Sequence, residues 1–289
     1  MTEPRLLDVP CLDARGLHRM AYWEWGDPHC RNVVVCVHGL TRQGRDFDAL
    51  ARDLAPRVRV VCPDVVGRGR SDWLDDPMGY AVPSYVADMV TLLARLDADR
   101  VDWVGTSMGG LIGLGVAALR GSPVRRLVLN DVGPRLEPVA VARIGQYVGQ
   151  GGRWDSPEQA AQALWALSSG FGPHTPEEWL ALSLPLLKPD GTGGWVLRYD
   201  PRIAVPFKAI TPELAAVGEA MLWAAYDSLR CPTLLLRGAE SDLLSPATAQ
   251  AMASRGPRAR TVTFAGVGHA PTLVHEDQRA VVRDFLLAD

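Results

Sequence analysis

Short apolar, β-branched runs alternating with helix-length stretches constrain this chain more than any other feature. The runs are "NVVVCVHG" (32–39), "VRVVCPD" (58–64), "RVDWVGTS" (100–107), "VRRLVLND" (124–131), "PTLLLRG" (232–238) and "ARTVTFAG" (259–266). A strand without polar alternation is buried on both faces, and burial on both faces requires helices above and below the sheet. The stretches between the runs have helical length and start signals, such as Pro83 opening a helix toward Leu96. The expected fold class is therefore α/β, with a mostly parallel central sheet and helices on both faces. An alternating run at 19–25, "RMAYWEW", adds an early strand.

The rhythm breaks between about Pro134 and Trp223, where β-branched runs are scarce. "SPEQAAQALWALSS" and "TPEEWLALSLPLL" each begin with Ser or Thr, then Pro and acids, as helices do. This predicts a helical insertion within one core: residues 1–133 and 226–289 form the core and 134–225 the insertion. A chain of 289 residues accommodates that division without a second tethered domain.

Composition narrows the function classes. A net charge of −3 gives no electrostatic reason to expect nucleic acid or an anionic membrane as partner. The five cysteines are odd in number and form no CxxC pair, so neither a disulfide framework nor a zinc knuckle is expected. The amino terminus lacks the apolar core of a signal peptide, and no apolar run is long enough to span a bilayer. These features predict a cytoplasmic protein.

Chemistry concentrates at Gly105-Thr-Ser-Met-Gly109, a G-x-S-x-G pentapeptide with a strand before it and a helix after it. A serine on so sharp a strand-to-helix turn has strained dihedrals, and glycines two residues to either side relieve the crowding. Ser107 is the expected nucleophile, and the N–H of Met108, at the helix start, the first oxyanion donor. The alternative is a tight turn without chemistry. A nucleophilic serine needs a base, and His269, in the glycine-containing loop "FAGVGHAP", is the candidate. His38 ends its strand and is expected to shape a loop, while His275 is expected on a solvated face of the last helix. Asp242, past the strand at 232–238, is the preferred orienting acid, and Asp131, at the end of "LVLND", is the alternative. Ser107, Asp242 and His269 fall in the chain order expected of a triad built on such an elbow. A second oxyanion donor should come from the loop after the strand at 32–39, at the N–H of Leu40.

"HGL" (38–40), "DVVGRGRSD" (64–72), "GTSMGG" (105–110), "GAESDLLSP" (238–246) and "GVGHAP" (266–271) together resemble the α/β-hydrolase-fold serine hydrolases, nearly end to end. The resemblance implies Ser107 as nucleophile, His269 as base and then acid, Asp242 as orienting carboxylate, and a helical cap insertion over the site. Trp165, Trp195 and Leu243 are expected to line the pocket. "GRGRSD" and "GTGG" lack the strand–glycine–helix setting of a phosphate cradle, and the histidines and acids show no metal spacing, so no cofactor or metal is expected.

The expected reaction is hydrolysis of a small to medium, partly apolar carboxylic ester through an acyl-enzyme. Lactone or carbon–carbon bond hydrolysis in aromatic catabolism is the near alternative. From another class, a non-catalytic small-molecule receptor on the same fold is a further one. The substrate's identity and the oligomeric state are not legible, because specificity depends on how the cap packs.

Overall fold

The computed structural model describes residues 3–98 and 100–288. The strands and helices in chain order are β1 (Arg5–Asp13), β2 (Gly16–Trp25), β3 (Asn32–Val37), α1 (Asp48–Leu54), β4 (Arg59–Pro63), α2 (Val82–Arg95), β5 (Arg100–Thr106), α3 (Met108–Ala117) and β6 (Val124–Asn130). Then follow α4 (Pro138–Tyr147), β7 (Arg153–Trp154), α5 (Pro157–Ser168), α6 (Pro176–Ser183), β8 (Leu187–Pro189), β9 (Trp195–Leu197), α7 (Ala204–Lys208) and α8 (Pro212–Ser228). The chain closes with β10 (Thr233–Gly238), α9 (Pro246–Ser254), β11 (Arg260–Phe264) and α10 (Glu276–Leu287).

The main sheet has the order β1-β2-β4-β3-β5-β6-β10-β11. From β4 to β11 every neighbouring pair is parallel, as the apolar runs require, and β1 and β2 extend it antiparallel. β1 was not legible in the sequence: as an edge strand paired only with β2, most of its side chains face solvent. One face of the sheet packs on α2 and α3 through Tyr85, Met89, Leu92, Ile112 and Leu114. The other packs on α1 and α10 through Leu50, Leu54, Val282 and Leu286. Each such side chain, fully buried, contributes about 1.5–3 kcal/mol relative to exposure. The β1–β2 hairpin is tied to α2 where His18 Nε2 lies 3.1 Å from Asp88 Oδ2.

Chain direction fans out from β3, with β4 added on one side and β5 on the other. The crevice beyond the carboxyl ends of β3 and β5 is thus a topological switch point, where open α/β sheets bind ligands. Gly39-Leu40 and Ser107 follow those two strand ends.

Between β6 and β10 the chain forms helices and a three-stranded antiparallel sheet, β7-β9-β8. The sequence predicts helices here but not this sheet, whose strands of two and three residues are too short for alternation to register. Residues 225 and 226 fall inside α8, which lies against α3 and plants the buried Tyr226 with its hydroxyl 2.6 Å from the Met252 carbonyl. Among the described residues no helix is long and apolar enough to cross a membrane.

Candidate active site

The turn at Ser107 is as tight as its glycines suggest. Ser107 holds φ 52° and ψ −117°, a region costly for a side chain and tolerated only where surroundings hold it. Its N–H donates to the Asn130 carbonyl at 3.0 Å, and its own carbonyl accepts from Gly110 at 2.9 Å. A Cβ on Gly105 would meet the Gly109 carbonyl oxygen at 2.2 Å, and one on Gly109 would meet that of Val37 at 1.9 Å. Glycine at both positions lets α3 start directly against β3 and β5.

His269 stands over this turn, its Nε2 2.9 Å from Ser107 Oγ. Its Nδ1 lies 2.7 Å from Asp131 Oδ2. An ionised carboxylate only accepts, so Nδ1 carries the hydrogen and Nε2 presents its lone pair to the serine hydroxyl. Asp131 is fully buried just past β6, and the Gly238 N–H donates to Oδ1 at 2.9 Å while the Ser241 hydroxyl donates to Oδ2 at 2.6 Å. Those donors replace water for a carboxylate that would otherwise be buried at high cost.

The preference for Asp242 is corrected here: Asp242 does not touch His269. Its carboxylate faces the Arg143 guanidinium of α4, with Nε–Oδ2 at 2.7 Å and Nη2–Oδ1 at 3.1 Å, and is 43% exposed. The β10 loop contributes Gly238 and Ser241 as supports of Asp131, and the carboxylate itself comes from the neighbouring strand. The clue lay in "LVLND", whose last residue sits beside the serine because β6 pairs directly with β5.

Leu40 and Met108 lie at the ends of the two switch-point strands, and both N–H groups are without a protein acceptor among the described residues. His38 is fully buried beside them. It accepts from the Val65 N–H at 2.9 Å through Nε2 and donates from Nδ1 to the Gly39 carbonyl at 2.7 Å. Burial pushes its pKa down to about 3, so it is a neutral brace between the β3 and β4 loops. His275 precedes α10 rather than lying inside it, its ring 5.0 Å from that of His174.

A cavity of about 220 Å³ opens above Ser107 and His269. Its walls are mostly apolar, with Ile144 of α4, Leu164 and Leu167 of α5, Phe171 and Leu182 among them, and Arg42 and Arg143 are its cationic groups. The expected pocket residues lie elsewhere. Trp165 packs edge-on to Trp179 with ring centroids 4.9 Å apart, Trp195 is in β9 opposite Trp154, and Leu243 is buried in the main core. Trp154 lines the cavity in their place. An aromatic in so short a strand carries no periodicity that tells which side faces the pocket.

The alpha/beta hydrolase family model matches residues 34–285, which include the Ser107 turn, Asp131 and His269. The chain belongs to the alpha/beta hydrolase family. This hydrolase is 55% identical over 286 residues to the 3-hydroxybutyrate-oligomer hydrolase of Cupriavidus necator, covering 98% of each chain. It is 31% identical over 254 residues to the pimeloyl-[acyl-carrier protein] methyl ester esterase of Xanthomonas campestris pv. campestris, covering 86% of this chain and 92% of the other. The solved structure of an alpha/beta hydrolase from Novosphingobium aromaticivorans superposes with a TM-score of 0.87 at 37% identity, covering 99% of both chains. In this alpha/beta hydrolase the hydrogen-bonded chain Ser107–His269–Asp131 can take a proton from a hydroxyl while a carbonyl is attacked.

Proposed function

We propose that this alpha/beta hydrolase is a serine hydrolase that cleaves carboxylic esters, and that its substrates are short oligoesters of a small hydroxy acid. The observation that carries the reaction is the chain of hydrogen bonds from Asp131 through His269 to Ser107 on the cavity floor. The substrate class is supported by the likeness to the Cupriavidus necator protein, which extends over 98% of both chains.

In this reading Ser107 Oγ attacks the ester carbonyl while His269 Nε2 takes its proton. The carbonyl oxygen becomes an oxyanion held by the Leu40 and Met108 N–H groups, a donor pair of which each member is worth about 3 kcal/mol in the transition state. His269 then protonates the leaving alkoxide, and the acyl-enzyme remains on Ser107. Water deprotonated by the same nitrogen releases the acid. Asp131 keeps the imidazole in the required tautomer and stabilises its cationic form without itself taking the proton. The apolar walls suit the short methyl-bearing backbone of such an oligoester. The segment 134–225 acts as a cap, since α4 and α5 supply much of those walls. Cys11, Cys36 and Cys62, buried as free thiols, suit a reducing compartment, and we place the protein in the cytoplasm.

Purified protein should hydrolyse p-nitrophenyl butyrate and the linear dimer and trimer of 3-hydroxybutyrate, and a fluorophosphonate should label Ser107. Turnover of the chromogenic ester without cleavage of the oligomers would reject the substrate class and keep the esterase. Absence of both turnover and labelling would reject the hydrolase.

A further inference from the structure

The "GRGRSD" segment, whose glycines form no phosphate cradle, carries a fully buried arginine. Arg68 Nε donates to the Leu40 carbonyl at 2.8 Å, and Nη2 lies 3.7 Å from Met108 Sδ. Nη1 donates to the Val66 carbonyl at 2.7 Å and to the Tyr85 hydroxyl at 2.9 Å. The guanidinium also lies over the rings of Tyr80 and Tyr85, at 5.6 and 5.1 Å. Among the described residues no carboxylate is within ion-pair distance of it.

That arrangement is unusual for a buried charge, which ordinarily demands a counter-ion. The surrounding loop is built to hold it. Asp64 accepts from the Arg70 and Gly44 N–H groups at 2.7 Å each, and Gly69 is pressed so near that a Cβ would lie 2.2 Å from Asp64 Oδ2. On the other side the Arg68 backbone forms an antiparallel β-bridge with that of Tyr199, with the Gly69 N–H donating to the Arg198 carbonyl at 3.1 Å. The Arg68 side chain thus touches both residues to which the proposed reaction assigns the oxyanion N–H groups.

We propose that Arg68 is a positioning residue of the oxyanion site, one that fixes the Leu40 and Met108 segments against each other and leaves an unneutralised positive charge beside them. The inference rests on the ester hydrolase reading above. The guanidinium holds the Leu40 carbonyl, which follows the donor N–H in the chain and so anchors the loop on its far side, while its Nη2 rests against the Met108 sulfur. His38 holds the Gly39 carbonyl of the donor peptide itself. Because no ground-state carboxylate neutralises the charge, its field acts on the anion that forms only during reaction.

The test compares Arg68→Met, Arg68→Lys and wild type on p-nitrophenyl butyrate, with butylboronic acid as a mimic of the tetrahedral state. Disturbing oxyanion donors typically costs up to 100–1,000-fold in kcat, so Arg68→Met should lose roughly 10–100-fold in kcat with KM within about threefold. Boronate affinity should fall by a similar factor, and Arg68→Lys should recover part of both. A folded Arg68→Met with lowered Tm but unchanged kcat and boronate affinity would reduce Arg68 to a structural role and overturn the proposal. Should Arg68→Met not fold, Arg68→Lys alone decides, since it lacks the fork that reaches Leu40 and Met108 together. Unchanged kcat and boronate affinity in that variant also overturn it. Failure of the hydrolase reading looks different: wild type itself would then show neither turnover nor fluorophosphonate labelling.

Discussion

Asp131 Oδ2 and His269 Nδ1 meet at 2.7 Å across 138 residues of sequence, and that pair orients the imidazole toward Ser107. The contact joins the end of β6 to the loop after β11, with β10 between those strands in the sheet. It is possible because the β10 loop turns its Gly238 N–H and Ser241 hydroxyl inward onto the carboxylate.

Asp131→Asn is expected to lose about 10⁴-fold in kcat, because an amide leaves the imidazole in the wrong tautomer. Asp242→Asn should stay within a few-fold of wild type. Its pair with Arg143 is more than two-fifths exposed on both sides, and such pairs contribute about 0–1 kcal/mol. Parallel assays on p-nitrophenyl butyrate check the contrast, and a larger loss at Asp242 would reverse the assignment.

Ser107→Ala should abolish turnover and fluorophosphonate labelling together while leaving the far-ultraviolet circular dichroism unchanged. The hydroxyl's partner here is His269, so its removal breaks no packing. Residual labelling in that variant would point to another nucleophile.

Gly109→Ala should be poorly folded. Its new Cβ would sit 1.9 Å from the Val37 carbonyl oxygen, which belongs to a central strand and cannot give way. Overpacking a core ordinarily costs about 1–3 kcal/mol, and a clash with backbone belongs at or beyond the upper end. Urea denaturation measures the loss. A midpoint equal to wild type would contradict the close approach of α3 to β3.

The hairpin tie offers a pH-dependent measure of stability. Asp88, hydrogen-bonded to His18, raises the His18 pKa against opposing desolvation, with Asp13 and Asp72 adding smaller pulls in the same direction. A histidine whose folded pKa is raised contributes its full stabilisation below the unfolded value of about 6.5, and loses it as pH rises through the folded value. The Tm gap between wild type and His18→Asn should therefore be widest below about pH 6 and narrow on the alkaline side of neutrality. A gap that widens with rising pH would mean that His18 is neutral in the folded protein.

The continuous apolar runs located the core strands from β3 onward because burial on both faces leaves a local mark in the residues themselves. The Ser107 elbow was legible for the same reason, since its glycines answer a crowding created within a few residues. The β7-β9-β8 sheet and the wall residue Trp154 left no such mark. Their strands are too short for a period, and which ring faces the cavity depends on packing between distant helices.

By itself the sequence determined the fold class, the tight turn at Ser107 and the loop that carries His269, all set by backbone and burial demands within one strand–loop unit. Only the tertiary structure decided between the two aspartates. Both follow strand ends at the same edge of the sheet, and the difference lies in their partners. Arg143 of α4 draws Asp242 outward into solvent, while Gly238 and Ser241 satisfy Asp131 in the interior, facing His269. Partners so far apart in the chain meet only once the sheet order and the loop paths are set.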